Sequence, residues 1–198
     1  MHDNNAFFNY KCNYSIPTKM IVGIIGKMGS GKTLTMTLLA YIMQQSGKNI
    51  RTNFNINFPH QIMTKADITN YGKGQGQEIQ NTVLCLDEVQ TILDCRTSNK
   101  NRVMTYFILQ TRKRGVDILY TSQQFFNVEK RLRENTNILL ECTPVKKEGT
   151  KTLEYIHIDV IEYHGREIFS PIKTINLKVS DKIYKLYDTY QIINYDSE

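Results

Sequence analysis

The chain has 198 residues, 40% of them hydrophobic and 22% charged, with a formal net charge of +6. That length accommodates one domain with a full core, and the composition is that of an ordinary globular protein. No apolar run approaches a membrane span, and the polar start MHDNNAFFNY lacks the basic and apolar parts of a signal peptide, so an intracellular or particle-enclosed protein is expected.

The positive balance suits a polyanionic partner, with nucleic acid the first candidate. Cys12, Cys85, Cys95 and Cys142 form no C-x-x-C pair, and the four histidines are scattered. Neither a disulfide framework nor a zinc site is expected, and Cys85 and Cys142 read as small hydrophobes in apolar strands.

In chain order, residues 20–25 form a short apolar run with the character of a buried parallel strand. A helix is predicted over about 31–46, ended by Gly47, and a second strand over Asn49 to Phe54. Residues 55–81 read as a polar loop with short helical pieces, containing Pro59 and Gly72-Lys73-Gly74-Gln75-Gly76. A strand over 82–86 ends in Asp87 and Glu88, and a helix is predicted over 97–113, capped by Thr97 or Ser98. Val116 to Thr121 is another buried strand, 127–134 a basic helix, and Asn137 to Cys142 a further strand. From about 151 the pattern changes to long strands, Thr152 to Tyr163 and Glu167 to Leu177, with His164-Gly165-Arg166 as a hairpin turn. The tyrosine-rich stretch Ile183 to Ile193 is expected to pack on the domain. The fold class is therefore α/β, a mostly parallel sheet with helices on both faces and a C-terminal β appendage. One domain spans 1–198, with its core at about 18–145 and the extension at about 150–198.

Residues 26 to 33 read Gly26-Lys27-Met28-Gly29-Ser30-Gly31-Lys32-Thr33, the phosphate-binding pattern G-x-x-x-x-G-K-[ST] without a mismatch. Glycines let backbone N–H groups curl around an anion, Lys32 places a charge on the β/γ-phosphates, and Thr33 offers a hydroxyl to Mg²⁺. The preceding strand and following helix supply the context that the pattern requires. Asp87, at the end of an apolar strand, is the expected Mg²⁺ partner through water, and Glu88 the carboxylate that deprotonates the attacking water. ATP and Mg²⁺ are the implied cofactors, and the acid pair favours hydrolysis over simple binding.

Ile118 to Gln123 is a buried strand with a polar end. Gln123 can report the γ-phosphate state, or it can simply cap the strand. Arg112 and Arg114, just before Gly115, suit an arginine inserted into a neighbour's site, a basic helix end, or a DNA contact.

Together, the loop GKMGSGKT, the strand end LDE and the segment TRKRGVDILYTSQQ resemble the FtsK–HerA superfamily of DNA-pumping ATPases. The resemblance covers about residues 20–143. It implies a RecA/FtsK-like P-loop NTPase fold, with Arg112, three before Gly115, as the family arginine and Gln123 as its sensor; Arg112, or failing that Arg114, would complete a neighbour's site. KRLRENTNIL is similar to the segment that follows the sensor. The short chain is most similar to the viral packaging branch, that of the genome-packaging ATPases of turreted icosahedral archaeal viruses. This implies a homo-oligomeric ring, hexameric or pentameric, that pumps double-stranded DNA into a capsid. A capsid or portal-vertex protein would dock it, and the virion and host cytoplasm would be its locations. The zonula-occludens-toxin-like assembly ATPases of filamentous phages are a second branch, also similar in the ending Leu186-Tyr187-Asp188-Thr189. Their usual membrane anchor has no counterpart here, which places them second.

The resulting expectation is a motor whose basic groups grip phosphates without reading sequence. Lys73, Lys100, Arg102, Lys130, Arg131 and Arg133 are the candidates, and Arg131 and Arg133 can alternatively serve the nucleotide site in trans. Asn53 is a candidate for coupling DNA contact to Glu88. The rival classes are a small-molecule kinase and a non-hydrolysing nucleotide switch or capsid component.

Overall fold

The computed structural model describes residues 20–72, 79–92, 108, 111, 114–150, 152–163 and 170–187. β1 (Ile21–Ile25) leads through a glycine-rich loop into α1 (Lys32–Gln45). β2 (Asn49–Thr52), a two-residue β3 (Gln61–Ile62) and α2 (Lys65–Gly72) follow. β4 (Thr82–Leu86) runs through a tight turn into the short α3 (Val89–Ile92). β5 (Asp117–Ser122) is followed by a 3₁₀ turn (Phe125–Asn127) and α4 (Lys130–Glu134). β6 (Ile138–Lys146), β7 (Leu153–Glu162), β8 (Lys173–Lys178) and α5 (Asp181–Tyr184) complete the described elements.

Among the described residues the strands form one sheet in the order β3-β2-β4-β5-β1-β6-β7-β8. Pairing is parallel from β3 to β6 and antiparallel through β6, β7 and β8. The central strands are apolar on both faces, as a covered parallel sheet requires. Val22, Ile24, Val83, Cys85 and Leu119 pack on one face against Leu34, Met36, Leu39 and Ala40 of α1. Ile21, Leu84, Leu86, Ile118 and Tyr120 point the other way, onto Val89, Phe125, Val128 and Leu132. The β appendage is continuous with the main sheet through β6, and Ile156, Ile158 and Leu177 extend the α1-side core.

The center of β1 is a glycine because Tyr120, its register partner on β5, lies across it. A Cβ on Gly23 would come within 2.6 Å of Tyr120 Oη. That phenol is wholly buried and shares a 2.7 Å hydrogen bond with Thr136 Oγ1. At the N-terminal ends of the strands, buried Asp117 accepts the Met20 N–H at 2.9 Å and pairs with Lys48 at 3.1 Å. Asn137 accepts the Ile21 N–H at 2.8 Å. These side chains fasten one end of the sheet and leave the opposite, C-terminal end to the loops.

Several expected boundaries move. The second strand stops at Thr52, because the Thr52 hydroxyl turns to the Phe54 carbonyl and Asn53 turns toward Asp87. The expected loop over 55–81 holds β3 as well as its helical piece. The basic helix begins at Lys130, not 127, because Glu129 caps it, its carboxylate accepting the Arg131 and Leu132 N–H groups at 2.7 and 3.1 Å. β6 runs on to Lys146 because β7 pairs with it along that length. Tyr184, Leu186 and Tyr187 pack against the α1-side core, as expected of the C-terminal stretch. Ile108 and Thr111 are helical. The rest of the expected 97–113 helix and the 164–166 turn lie outside the described residues.

Candidate nucleotide site

The sheet order brings the three informative strand ends together. β5 lies between β1 and β4, so Ile25 faces Ser122 in register while Leu86 faces Tyr120. The loop after β1, the acid pair after β4 and the polar end of β5 therefore meet at the C-terminal edge of the parallel strands. Ligand sites of open α/β sheets form at this edge.

The loop conformation needs its glycines. Gly31 caps α1 with φ 88, and a Cβ there would stand 2.4 Å from Ile156 Cδ1. Gly26 has φ 148, and a Cβ there would stand 2.5 Å from the Cys142 carbonyl oxygen. α1 has neither a side-chain cap nor an acidic residue in its first turn. Its N-terminal dipole and N–H groups thus face the loop without a competing carboxylate of the helix itself. Ser30 Oγ is fully buried beside them without a hydrogen-bond partner.

Lys32 is buried, and its ammonium donates to the Lys27 carbonyl at 2.9 Å. Burial pulls its pKa below the ordinary lysine value, opposed by the nearby charges of Asp87 and Glu88. Asp87 is also buried, and the loss of solvent pushes its pKa up. Hydrogen bonds from Thr121 and Thr33 act the other way. Thr33 Oγ1 donates to the Asp87 carboxylate at 3.0 and 3.2 Å, and Thr121 Oγ1 donates to Asp87 Oδ1 at 2.5 Å.

Glu88 is half-buried in a left-handed conformation, φ 46. Its N–H donates to Thr121 Oγ1 at 2.8 Å. Asn53, just after β2, clamps the neighbouring backbone, accepting the Asp87 N–H at 2.7 Å and donating to the Asp87 carbonyl at 2.9 Å. Asn53 thus engages the main chain of Asp87, where the sequence suggested a link to Glu88.

The donor set fits a triphosphate with a hard divalent cation. A buried ammonium and an uncapped helix N-terminus suit phosphate, and a threonine hydroxyl beside a carboxylate suits an oxygen-seeking ion. Among the described residues no group of three or more His, Cys, Asp or Glu side chains is placed to hold a metal, so Thr33 and Asp87 would share it with nucleotide and water oxygens.

The structure brings Lys32, Thr33, Asp87 and Glu88 together and sets Gln123, exposed, just past the end of β5. Arg114 is half-buried at the opposite end of β5. A six-residue strand spans about 20 Å, so Arg114 does not reach the loop of its own chain. Arg112 lies outside the described residues, as do Lys73, Lys100 and Arg102. Arg133 stacks on Phe125 and Phe126 and donates to the Phe126 carbonyl at 3.0 Å, while Lys130 pairs with Glu134 at 3.8 Å. Thr121 was missed by sequence reasoning. Its only signal there was a hydroxyl residue closing a buried strand.

The zonular occludens toxin (Zot) family model matches residues 20–192. No curated protein matches the sequence. Among solved structures, the N-terminal domain of zonular occludens toxin from Neisseria meningitidis is similar at 19% identity and TM-score 0.60. That likeness covers 86% of this chain and 99% of the other. The genome packaging NTPase B204 from Sulfolobus turreted icosahedral virus 2, in complex with ATP-gammaS, is similar at 10% identity and TM-score 0.56, covering 82% and 99%. The flagellar accessory protein FlaH from Methanocaldococcus jannaschii is similar at 14% identity and TM-score 0.56, covering 81% and 85%. These likenesses bear out the P-loop NTPase fold, and with the family match over most of its length the chain belongs to the zonular occludens toxin family.

Proposed function

We propose that this chain is an ATP-hydrolysing motor of a virus or phage that moves double-stranded DNA during particle assembly. The observation that carries it is the meeting of the phosphate loop, the Asp87–Glu88 pair and the end of β5 at one sheet edge. Residues 26–33 hold the triphosphate, with Lys32 on its terminal phosphates. Thr33, and Asp87 through water, would hold Mg²⁺, which when bound would neutralise charge on the phosphoryl group. Glu88 accepts the proton of the attacking water, and Gln123 reads whether the γ-phosphate is present. Arg112, or Arg114, completes the site of a neighbour in a ring. For Arg114 the support is geometric, since it stands at the far end of β5 from its own loop.

Two destinations of the DNA fit this chemistry: a preformed capsid, docked through a capsid or portal-vertex protein, or an assembly and export machinery. Membership of the zonular occludens toxin family favours the second. The likeness to B204 is one of fold and does not separate them. Among the described residues no helix is long and apolar enough to cross a membrane.

The test is ATP turnover by the purified chain, with and without linear double-stranded DNA, beside Glu88→Gln. The expected result is DNA-stimulated turnover that falls about 10²–10⁴-fold in the variant, with ATP binding retained. Absence of turnover at concentrations that form rings would overturn the reading. In infected cells carrying Glu88→Gln, DNA-empty capsids would mark packaging, and a block in particle release would mark export.

A further inference from the structure

We propose that Thr121 is the positioning residue of the acid pair: its single hydroxyl ties the Glu88 backbone to the Asp87 carboxylate and thereby fastens the end of β5 to the end of β4. This rests on the hydrolytic reading above.

One oxygen makes both bonds. It gives its only proton to Asp87 Oδ1 at 2.5 Å and accepts the Glu88 N–H at 2.8 Å. Glu88 needs such a hold, because φ 46 is a conformation that L residues rarely adopt without support from their surroundings. That backbone setting decides where the Glu88 carboxylate is aimed. Thr33 also donates to Asp87, but Thr33 is half-buried and its hydroxyl is the one that the proposed cation would recruit. Thr121 is wholly buried and bound to both acids' residues, and its own oxygen is not among the groups proposed to hold the cation. It also stands two residues before Gln123, which lies just past the end of the same strand. The sensor and the acid pair are therefore set on one hydrogen-bonded unit. A valine would fill the same space and lose both bonds at once.

The test pairs Thr121→Val with Thr121→Ser, which keeps the hydroxyl, in the full chain. Two quantities are measured: exchange of the Glu88 amide hydrogen in the nucleotide-free protein by NMR, and steady-state ATP turnover beside ATP affinity. In Thr121→Val the Glu88 amide should exchange about tenfold faster or more. Its kcat should fall about 10–100-fold while ATP affinity stays within about twofold. Thr121→Ser should resemble the wild type in both. Unchanged protection of Glu88 in the valine variant would overturn the link itself. Faster exchange with wild-type kcat would show a link that catalysis does not use, and overturn the positioning role. A serine variant as impaired as the valine one would assign the effect to packing instead of the hydroxyl. If the wild type shows no turnover, the hydrolytic reading falls and the catalytic half of this inference with it, while the exchange data still judge the link.

Discussion

Asp87 is a buried carboxyl group, so its surroundings must supply what water would have supplied. Lys32 provides the opposite charge, Thr33 and Thr121 provide hydrogen bonds to the carboxylate, and Asn53 satisfies its backbone N–H and carbonyl. Those groups come from three separate places in the chain: the start of α1, the end of β5 and the residue after β2. Asn53→Ala would leave both backbone groups of Asp87 without their partner. We expect it to cost about 1–3 kcal/mol of stability, measured by urea unfolding. An unfolding midpoint equal to that of the wild type would show that water or a neighbour replaces the amide. Cys85 and Cys142 are buried, and burial raises both thiols, that of Cys142 to about 11. They behave as the small hydrophobes that their strand positions suggested.

β1, β4 and β5 form the center of the sheet, and their packing is set by a few shape matches. The clearest is Gly23 beneath Tyr120. Gly23→Ala should destabilise the fold by about 1–3 kcal/mol through overpacking, and Tyr120→Phe in the same chain should recover part of that loss. Additive losses, read by chemical denaturation of the two single variants and the double one, would show that the two sites do not compete for space. Much at this scale was legible in the sequence. Apolar runs of five or six residues gave β1, β4 and β5, and the glycine-lysine pattern announced the loop. β3 was not legible, because two residues carry no period. The late start of α4 was missed because its signal is one carboxylate, Glu129, acting as a cap. The hydrogen bonds of Asn53 and Thr121 to residues 33 or more positions away follow from strand order. No sequence pattern prints that order: β5 comes after β4 in the chain yet inserts between β4 and β1.

For the molecule as a whole, the phosphate loop occupies the C-terminal edge of the sheet and Arg114 the N-terminal edge. A ring in which one copy's Arg114 edge meets the next copy's loop would join the two, and this is how we read an otherwise distant arginine. The net charge of +6 would suit the polyanionic partner that this reading proposes. The nearest test of the central claim, that hydrolysis at this edge moves duplex DNA, is displacement of a fluorescent third strand from a linear duplex by the purified chain. The account predicts displacement with ATP, none with a non-hydrolysable analogue, and none with Glu88→Gln. Brisk ATP turnover that never displaces the third strand would contradict it, and would leave the chain an ATPase whose work is done on something other than DNA.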